Sequence, residues 1–216
     1  MRRNDESKME HPILTSIGRA TFTPLGWFSP SDMGETKQVI LIGNVGPDMF
    51  SRFVRSGAPT MDEWTRVVVD RLAADLGARA VFPFDKPAQP FLTWARMAGA
   101  GHVSPLGLNI HPTYGLWHAY RAALLFPVEF DFPRSSVGAH PCESCLDKPC
   151  LSACPVKAFD GSSYDVAACG VYLKSDAGQT CMEGGCLARA ACPVGKTYHY
   201  SKPQTQFHMR AFRELR

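Results

Sequence analysis

Cysteine is missing from the first 141 residues of this 216-residue chain, and all eight cysteines lie between Cys142 and Cys192. No apolar run approaches the roughly 18–20 residues that a transmembrane helix needs, so we expect no membrane partner. The N-terminal stretch MRRNDESKMEHPIL lacks the apolar segment of a secretory signal, which predicts a cytoplasmic protein with reduced thiols. The composition, 45% hydrophobic and 20% charged, is typical of a folded protein.

Complete phosphate-binding motifs are also missing. GNVG and GAGHVS do not complete Gly-x-Gly-x-x-Gly, and no complete Walker-type Gly-x-x-x-x-Gly-Lys-Ser/Thr motif is present, so we interpret both stretches as ordinary turns. The formal net charge of +3 assumes neutral thiols. Two clusters with four thiolates each would change it to roughly −1, so the charge gives no reason to expect a nucleic-acid partner.

The cysteine-free part has the pattern of an α/β domain. The apolar run 38–46 predicts a strand, and Thr60, with Glu63 three residues later, predicts a helix that Gly77 ends. A second strand is predicted over 79–84, and 116–132 is interpreted as a helical turn followed by a strand. The stretch FDFPRSSVGAHP interrupts the apolar sequence, which predicts an α/β domain over 1–136 and a cysteine domain over 137–216.

Three uses of clustered cysteine compete. A count of eight fits a disulfide framework, but the expected compartment argues against it. Two four-cysteine zinc sites would also use eight ligands, and Cys142-x2-Cys145 has the spacing of a zinc knuckle. Zinc has no requirement for a terminal Cys-Pro, however. Iron–sulfur binding explains more of the pattern, because both Cys154 and Cys192 are followed by proline.

The spacing is close to that of bacterial ferredoxins, with two extra residues in the middle gap. In such a run the last cysteine serves the other cluster, so we predict two [4Fe–4S] clusters with exchanged ligands. One would be held by Cys142, Cys145, Cys150 and Cys192, and the other by Cys154, Cys169, Cys181 and Cys186. The small core around them is expected to contain Leu146, Leu151, Val156, Phe159 and Leu187.

The cysteine segment and one segment before it resemble a known group. CESCLDKPCLSACPVKAF and YDVAACGVYL are similar to the cluster domain of epoxyqueuosine reductases and reductive dehalogenases, and Cys169 matches their isolated cysteine. SPLGLNIHPTYGLWHAYRAALLFP is similar to the dehalogenase segment in which a Pro-x-Tyr-Gly turn precedes an arginine. Here those positions are Pro112, Tyr114, Gly115 and Arg121.

The resemblance implies an α+β protein in which a nitroreductase-like α/β domain precedes a ferredoxin-like two-cluster domain. It further implies cobalamin or another corrinoid as a cofactor, with flavin as the less favoured alternative. The chain departs from the pattern because it is much shorter and has no Asp-x-His-x-x-Gly motif for an axial histidine. The family's tRNA substrates also keep tRNA open as a partner.

Candidate catalytic residues are His111, Tyr114, His118 and Arg121, since histidine and tyrosine can donate protons and arginine can hold an anion. Trp117 and Tyr114 are candidate cofactor contacts. We predict an iron–sulfur reductase that passes electrons to a cofactor or small substrate in the N-terminal domain. The alternatives are a ferredoxin-type carrier that docks an electron donor or acceptor protein, and a corrinoid-binding or trafficking protein.

Overall fold

The computed structural model describes residues 11–132 and 138–215. Contacts divide the chain into two units, one formed by residues up to 100 together with 119–138, and the other by 101–118 together with residues from 139 onward. The boundary predicted near residue 136 lies outside the described residues. Within the described residues, no helix has the length and apolar character needed to cross a bilayer.

The secondary structure is mixed. The strands are β1 (Thr23–Phe28), β2 (Gln38–Val45), β3 (Arg79–Val81), β4 (His102–Val103), β5 (Asn109–Ile110) and β6 (His118–Phe126). The α-helices are α1 (Pro12–Arg19), α2 (Asp48–Ser56), α3 (Met61–Leu76), α4 (Phe91–Met97), α5 (Pro149–Ser152), α6 (Val166–Leu173), α7 (Gln179–Gly184), α8 (Leu187–Ala190) and α9 (Lys202–Glu214). This mixture confirms the α+β class.

The first unit is built on a sheet with the strand order β1-β2-β6-β3. Strand β1 is antiparallel to β2, and β3 is antiparallel to β6. All residues of β2 except Val45 are buried, which explains why its sequence is almost entirely apolar. Helices α1 to α4 also belong to this unit, and each has buried apolar residues.

Helix α3 forms as its sequence predicts. The Thr60 hydroxyl accepts a hydrogen bond from the Glu63 amide at 3.1 Å, and Gly77 ends the helix in the left-handed conformation. The strand predicted over 79–84 is shorter, because the Asp85 carboxylate accepts from the Phe82 amide at 2.8 Å and turns the chain. The helical turn predicted before β6 is absent: Leu116 and Trp117 lie in a turn that leads directly into the strand.

The second unit is made of short helices and the hairpin β4-β5. One buried cluster combines Leu106, Ile110, Leu116, Ala158, Phe159, Ala188 and Cys192, and a smaller one combines Leu173, Cys181 and Met182. Leu151 and Val156 pack against the first and Leu187 against the second, as predicted. The prediction for Leu146 is wrong. It is 90% exposed, because the bend between Cys145 and Cys150 turns its side chain outward.

Candidate metal centre

Four cysteines from distant parts of the second unit lie close enough for their charges to interact. Burial and then the charges of Cys192, Cys150 and Cys145 raise the pKa of the Cys142 thiol to about 11. The charges of Cys192 and Cys145 likewise add to burial in raising the pKa of Cys150. We call these four residues the first thiol group. Cys192 joins it from 42 positions beyond Cys150.

The other four cysteines form a second thiol group, made of Cys154, Cys169, Cys181 and Cys186. Burial raises the pKa of Cys181, and the charges of Cys169 and Cys154 add to that rise. Burial also raises the pKa of Cys186, with further contributions from Cys181 and Cys169. The two thiol groups have the same members as the two ligand sets proposed from the sequence, and which cysteines bind a cluster stays a prediction.

Two one-turn helices connect the groups. Cys150 lies in α5 and belongs to the first group, while Cys154 follows that helix and belongs to the second. Cys186 is the N-cap of α8 and belongs to the second group, while Cys192 follows α8 and belongs to the first. Helices α5 and α8 pack against each other. Each helix thus carries the chain from one thiol group to the other.

Backbone amides stabilise the thiolate forms. The Ala158 amide donates to the Cys154 sulfur at 3.4 Å. Amides at the start of α8 donate to Cys186, which opposes the rise in its pKa that burial causes. The Leu187 amide acts on Cys181 in the same way, and the Val194 amide on Cys192. Each group therefore has directed donors as well as apolar surroundings.

The donor sets fit [4Fe–4S] clusters. All eight cysteines are free thiols, and four thiolates are the usual ligand set of one such cluster. Among the described residues, no three His, Cys, Asp or Glu side chains are grouped closely enough to bind a single metal ion. A cubane is compatible with wider spacing, because each thiolate binds a different iron of a larger body.

Four of the candidate catalytic and cofactor residues share one loop, 111–118, in the second unit. The His111 and Tyr114 rings stack at 4.4 Å, and the His111 and His118 rings meet edge to face at 5.6 Å. The His111 Nδ1 accepts hydrogen bonds from the amides of Thr113 (3.0 Å) and Tyr114 (3.2 Å). Because Nδ1 accepts, the ring proton of neutral His111 lies on Nε2.

His118 is the buried member of this loop. Its Nδ1 lies 3.1 Å from the Gly115 carbonyl oxygen, so the neutral ring donates from Nδ1. Burial and then the charge of His111 lower the pKa of His118 to about 3. His118 is therefore a neutral imidazole at physiological pH.

Trp117 and Arg121 are placed differently from the roles predicted for them. Trp117 is buried, with the Arg189 guanidinium 4.6 Å from its ring centroid and His199 at 4.0 Å, so it does not present an open ring face to a cofactor. Arg121 lies in the first unit, where its guanidinium donates to Asp62 at 2.6 Å and to Thr65 at 3.0 Å. Arg121 and the loop thus belong to different units.

The loop 111–118 contacts the chain that leaves the first thiol group. A Cβ on Gly115 would lie 2.1 Å from the Val194 carbonyl oxygen, and one on Gly195 would lie 2.3 Å from that of Tyr114. Both glycines have positive φ, at 58° and 73°. Only a pair of glycines permits this backbone contact, which begins two residues after Cys192.

Arg189 and Tyr164 are residues that sequence reasoning missed. Arg189 donates to the Leu116 carbonyl at 3.1 Å, and its guanidinium lies between the rings of Trp117 and Tyr200. Tyr164 lies beside the second thiol group. No spacing rule indicates either residue, because both contacts depend on how distant segments pack.

The first unit also contains an open cleft of about 740 Å³. Its lining is aromatic and acidic and includes Trp27, Phe28, Ser29, Gln38, Met97, Ala98, Glu129, Phe130, Asp131 and Phe132. This volume is within the range of small-molecule sites.

Substitution of Gly195 by alanine should destabilise the second unit. The new Cβ would clash with the Tyr114 carbonyl at a position whose φ is 73°, so we expect a loss of about 2 kcal/mol or more. Gly184→Ala is the matched control, since a Cβ at that position would meet no atom within 4 Å. Urea unfolding of both variants measures the difference, and equal unfolding free energies would contradict the close contact.

Burial of neutral His118 should make stability depend on pH. The folded pKa of about 3 lies below the ordinary value of 6.5, so the unfolded chain binds a proton first as the pH falls. Between pH 7.5 and pH 5.5, His118 should therefore lower the free energy of unfolding by about 1.4 kcal/mol. His118→Asn keeps a hydrogen-bond donor near the position of Nδ1 but has no ring that binds a proton. Urea unfolding at the two pH values should therefore show that the variant lacks this pH-dependent part of the free energy of unfolding. Equal pH dependence in variant and wild type would show that the pKa of His118 is the same in the folded and unfolded chain, which contradicts its burial as a neutral ring.

Comparisons with known proteins identify the fold. No family model matches the sequence, and no curated protein matches it. A structure of epoxyqueuosine reductase from Streptococcus thermophilus aligns with a TM-score of 0.54 at 16% identity, over 85% of this chain and 65% of that one. An epoxyqueuosine reductase solved with an epoxyqueuosine-modified tRNA stem loop aligns with a TM-score of 0.51 at 17% identity. This alignment covers 89% of the present chain and 68% of the reductase. The epoxyqueuosine reductase from Bacillus subtilis aligns with a TM-score of 0.47 at 17% identity, and the present chain covers 53% of the length of that enzyme. The chain has an epoxyqueuosine reductase-like fold.

Proposed function

We propose that the protein is an iron–sulfur oxidoreductase with two [4Fe–4S] clusters, one on each thiol group. The observation that carries this proposal is the formation of two separate groups of four neighbouring thiols, in which distant cysteines complete each set. When bound, the clusters would supply one-electron transfer. The fold of the solved neighbours supports a reductase.

The exchanged ligand sets are part of the proposal. Helices α5 and α8 pack together, and each has one end at each thiol group. Two clusters so held would be close to each other, which suits electron exchange between them. Pro155 and Pro193 follow the last cysteine of each run, where a missing amide donor and a fixed φ direct the chain away from the sulfur.

Lysines offset part of the negative charge of the first thiol group. The charge of Lys148 acts to lower the pKa of Cys142, and that of Lys196 acts likewise on Cys192. A cluster with four thiolates carries a net negative charge, which is costly to place near apolar residues without such partners. These cations therefore favour a charged cluster at this group.

The loop 111–118 is the proposed place for proton chemistry. The Nε2–H of neutral His111 is a donor, and the Nε2 of His118 is an acceptor because its proton lies on Nδ1. The Gly115–Val194 contact places the loop next to the chain that leaves Cys192. A substrate reduced here would receive electrons from the first group and a proton from the loop.

The substrate is thus proposed at the loop, and a separate cofactor is proposed to bind in the first unit. The cleft of about 740 Å³ in the first unit offers aromatic surface and two carboxylates, Glu129 and Asp131. A corrinoid is the cofactor that the family resemblance implies. The burial of Trp117 removes one expected contact for it, so we assign no step to a corrinoid.

A tRNA substrate is the finer proposal that the tRNA-bound neighbour suggests. In this chain, positive charge follows the last cysteine. Lys196, Lys202 and Arg210 are exposed, and Lys202 and Arg210 lie on α9. Such side chains are the usual contacts to phosphates.

A ferredoxin-type carrier is the second candidate function. Leu146 is 90% exposed and directly follows Cys145 of the first thiol group. In a carrier, the surface around this side chain would be the place where an electron donor or acceptor protein docks. In that case the loop 111–118 would be structural.

Replacement of Cys192 by alanine tests the exchanged ligand sets. Cys192 joins the first thiol group although it follows the second in sequence, so its loss should damage the cluster that Cys142 binds. Iron analysis and electron paramagnetic resonance should show one intact cluster and one that is lost or converted to a three-iron form. A wild-type spectrum of both clusters would contradict the assignment. Ser152→Ala, at an exposed position of α5, is the control.

Titration of the anaerobic protein with cobalamin and with flavin separates a reductase from a carrier. If the protein is a cofactor-dependent reductase, one of them should give a saturable spectral change, which dithionite reduction of the clusters should then alter. Bovine serum albumin at the same concentration controls for non-specific binding. No change with either cofactor would favour the carrier, and a colourless protein that contains zinc would contradict both functions.

A further inference from the structure

The open cleft of the first unit, about 740 Å³ in volume, is lined by the end of β1 and by the segment that follows β6. Two hydrogen bonds connect these walls to the rest of the sheet. The hydroxyl of Ser29, just after β1, donates to Oε1 of Glu129. The Phe130 amide donates at 2.7 Å to Oε1 of Gln38, which is only 3% exposed. The lining segments are therefore held in defined positions.

Aromatic rings form much of this lining. The ring centroids of Trp27 and Phe132 are 5.2 Å apart, and those of Phe130 and Phe132 are 5.5 Å apart. Phe132 also meets the His11 ring edge to face at 4.7 Å, which helps to fix it. Trp27 and Phe130 are only partly buried, so each keeps accessible ring surface. A ligand in the cleft would therefore contact aromatic side chains.

The charge of the lining is negative. Glu129 and Asp131 both line the cleft, and both are exposed. Among the described residues that line it, none is a lysine, an arginine or a histidine. The bond from Ser29 engages one oxygen of Glu129, so the second oxygen of this carboxylate can accept a hydrogen bond from a ligand. The cleft should therefore attract cations and repel anions.

We propose that this cleft binds an organic cation, with an aromatic body against Trp27 and Phe130 and a positive group paired with Glu129 and Asp131. The face of an aromatic ring carries partial negative charge and attracts cations, and tryptophan does so most strongly. The two carboxylates add attraction for the same charge. Shape and charge thus favour one class of ligand. The inference rests on the proposed function for the ligand's role in reduction, and it adds the ligand's charge.

Three probes that share one ring system but differ in charge test the proposal on the anaerobic full-length holoprotein. At neutral pH, naphthylmethylammonium is a cation, naphthylmethanol is uncharged and naphthoate is an anion. Isothermal titration calorimetry should show that the cation binds roughly tenfold more tightly than the uncharged probe, and that the anion binds more weakly than both. Added salt should reduce this preference, because the carboxylates are exposed.

Charge-removing variants locate the preference in the cleft. Glu129→Gln and Asp131→Asn should each lower the affinity for naphthylmethylammonium about threefold and leave the binding of naphthylmethanol unchanged. Trp27→Leu should weaken the binding of all three probes, because the ring surface is lost. If Trp27→Leu does not fold, the two carboxylate variants decide the question, since both positions are exposed.

Asp70→Asn is the matched control. Asp70 is exposed on α3 in the same unit, and it is not among the residues that line the cleft. The variant removes the same charge from the chain, so it should leave the affinities for all three probes unchanged. An equal loss of cation binding in Asp70→Asn and in the cleft variants would show a general effect of net charge and would overturn the proposal.

The outcomes separate this inference from the proposed function. Equal affinity for the three probes, tightest binding of naphthoate, or no saturable binding of naphthylmethylammonium would each overturn the cation site. The first unit contains none of the eight cysteines, so binding in its cleft does not require the clusters. Iron analysis of the same preparation tests the function. A preference for the cation in a protein without iron would contradict the function and support the site.

Discussion

The packing of α5 against α8 is the constraint on which the second unit depends. Each helix is a single turn of four residues, too short to be stable alone. Each also connects a cysteine of one thiol group to a cysteine of the other. The packing of these two helices therefore determines where cysteines of both groups lie. The small buried cluster around Ala188 and Cys192 adds apolar contacts, but it is modest for a unit of this size. On the proposed function, cluster binding would supply much of the folding free energy, as metals do in other small domains.

The position of the loop 111–118 depends on the same packing of α5 against α8. The chain that leaves Cys192 meets the loop through the facing pair Gly115 and Gly195, and Arg189, which lies in α8, donates to Leu116. The loop thus packs with the cysteines although about 25 residues of sequence separate it from Cys142. A change at α8 should reach the histidines of the loop through rigid backbone contacts, without any change in the loop's own sequence.

Features that depend on residues close together in the chain could be predicted from the sequence. Thr60, Glu63 and Gly77 define α3, and the cysteine spacing with its two Cys-Pro ends indicated two groups of four. Long-range packing determined the rest. The strand β6 lies between β2 and β3, which no periodicity shows, and Asp85 shortens β3 through a side-chain hydrogen bond. Leu146 is apolar but exposed, because the bend that brings its neighbours Cys145 and Cys150 to one group turns it outward. Arg121 was proposed as a catalytic residue from the family resemblance, and in the structure its guanidinium, on β6, donates to Asp62 in the first unit.

The pattern of the cysteines is nearly symmetric, but their surroundings are not. Both runs end in Cys-Pro, and each contributes its last cysteine to the other group. The charges of Lys148 and Lys196 act on the first group, whereas Tyr164 lies beside the second, which also packs against α9 through α7. Two clusters of one chemical type in such different surroundings would have different potentials, and a difference in potential gives electron flow a direction. The backbone contact from Val194 to Gly115 lies at the first group, so electrons bound for the loop would leave from there. The second group would then act as the internal relay.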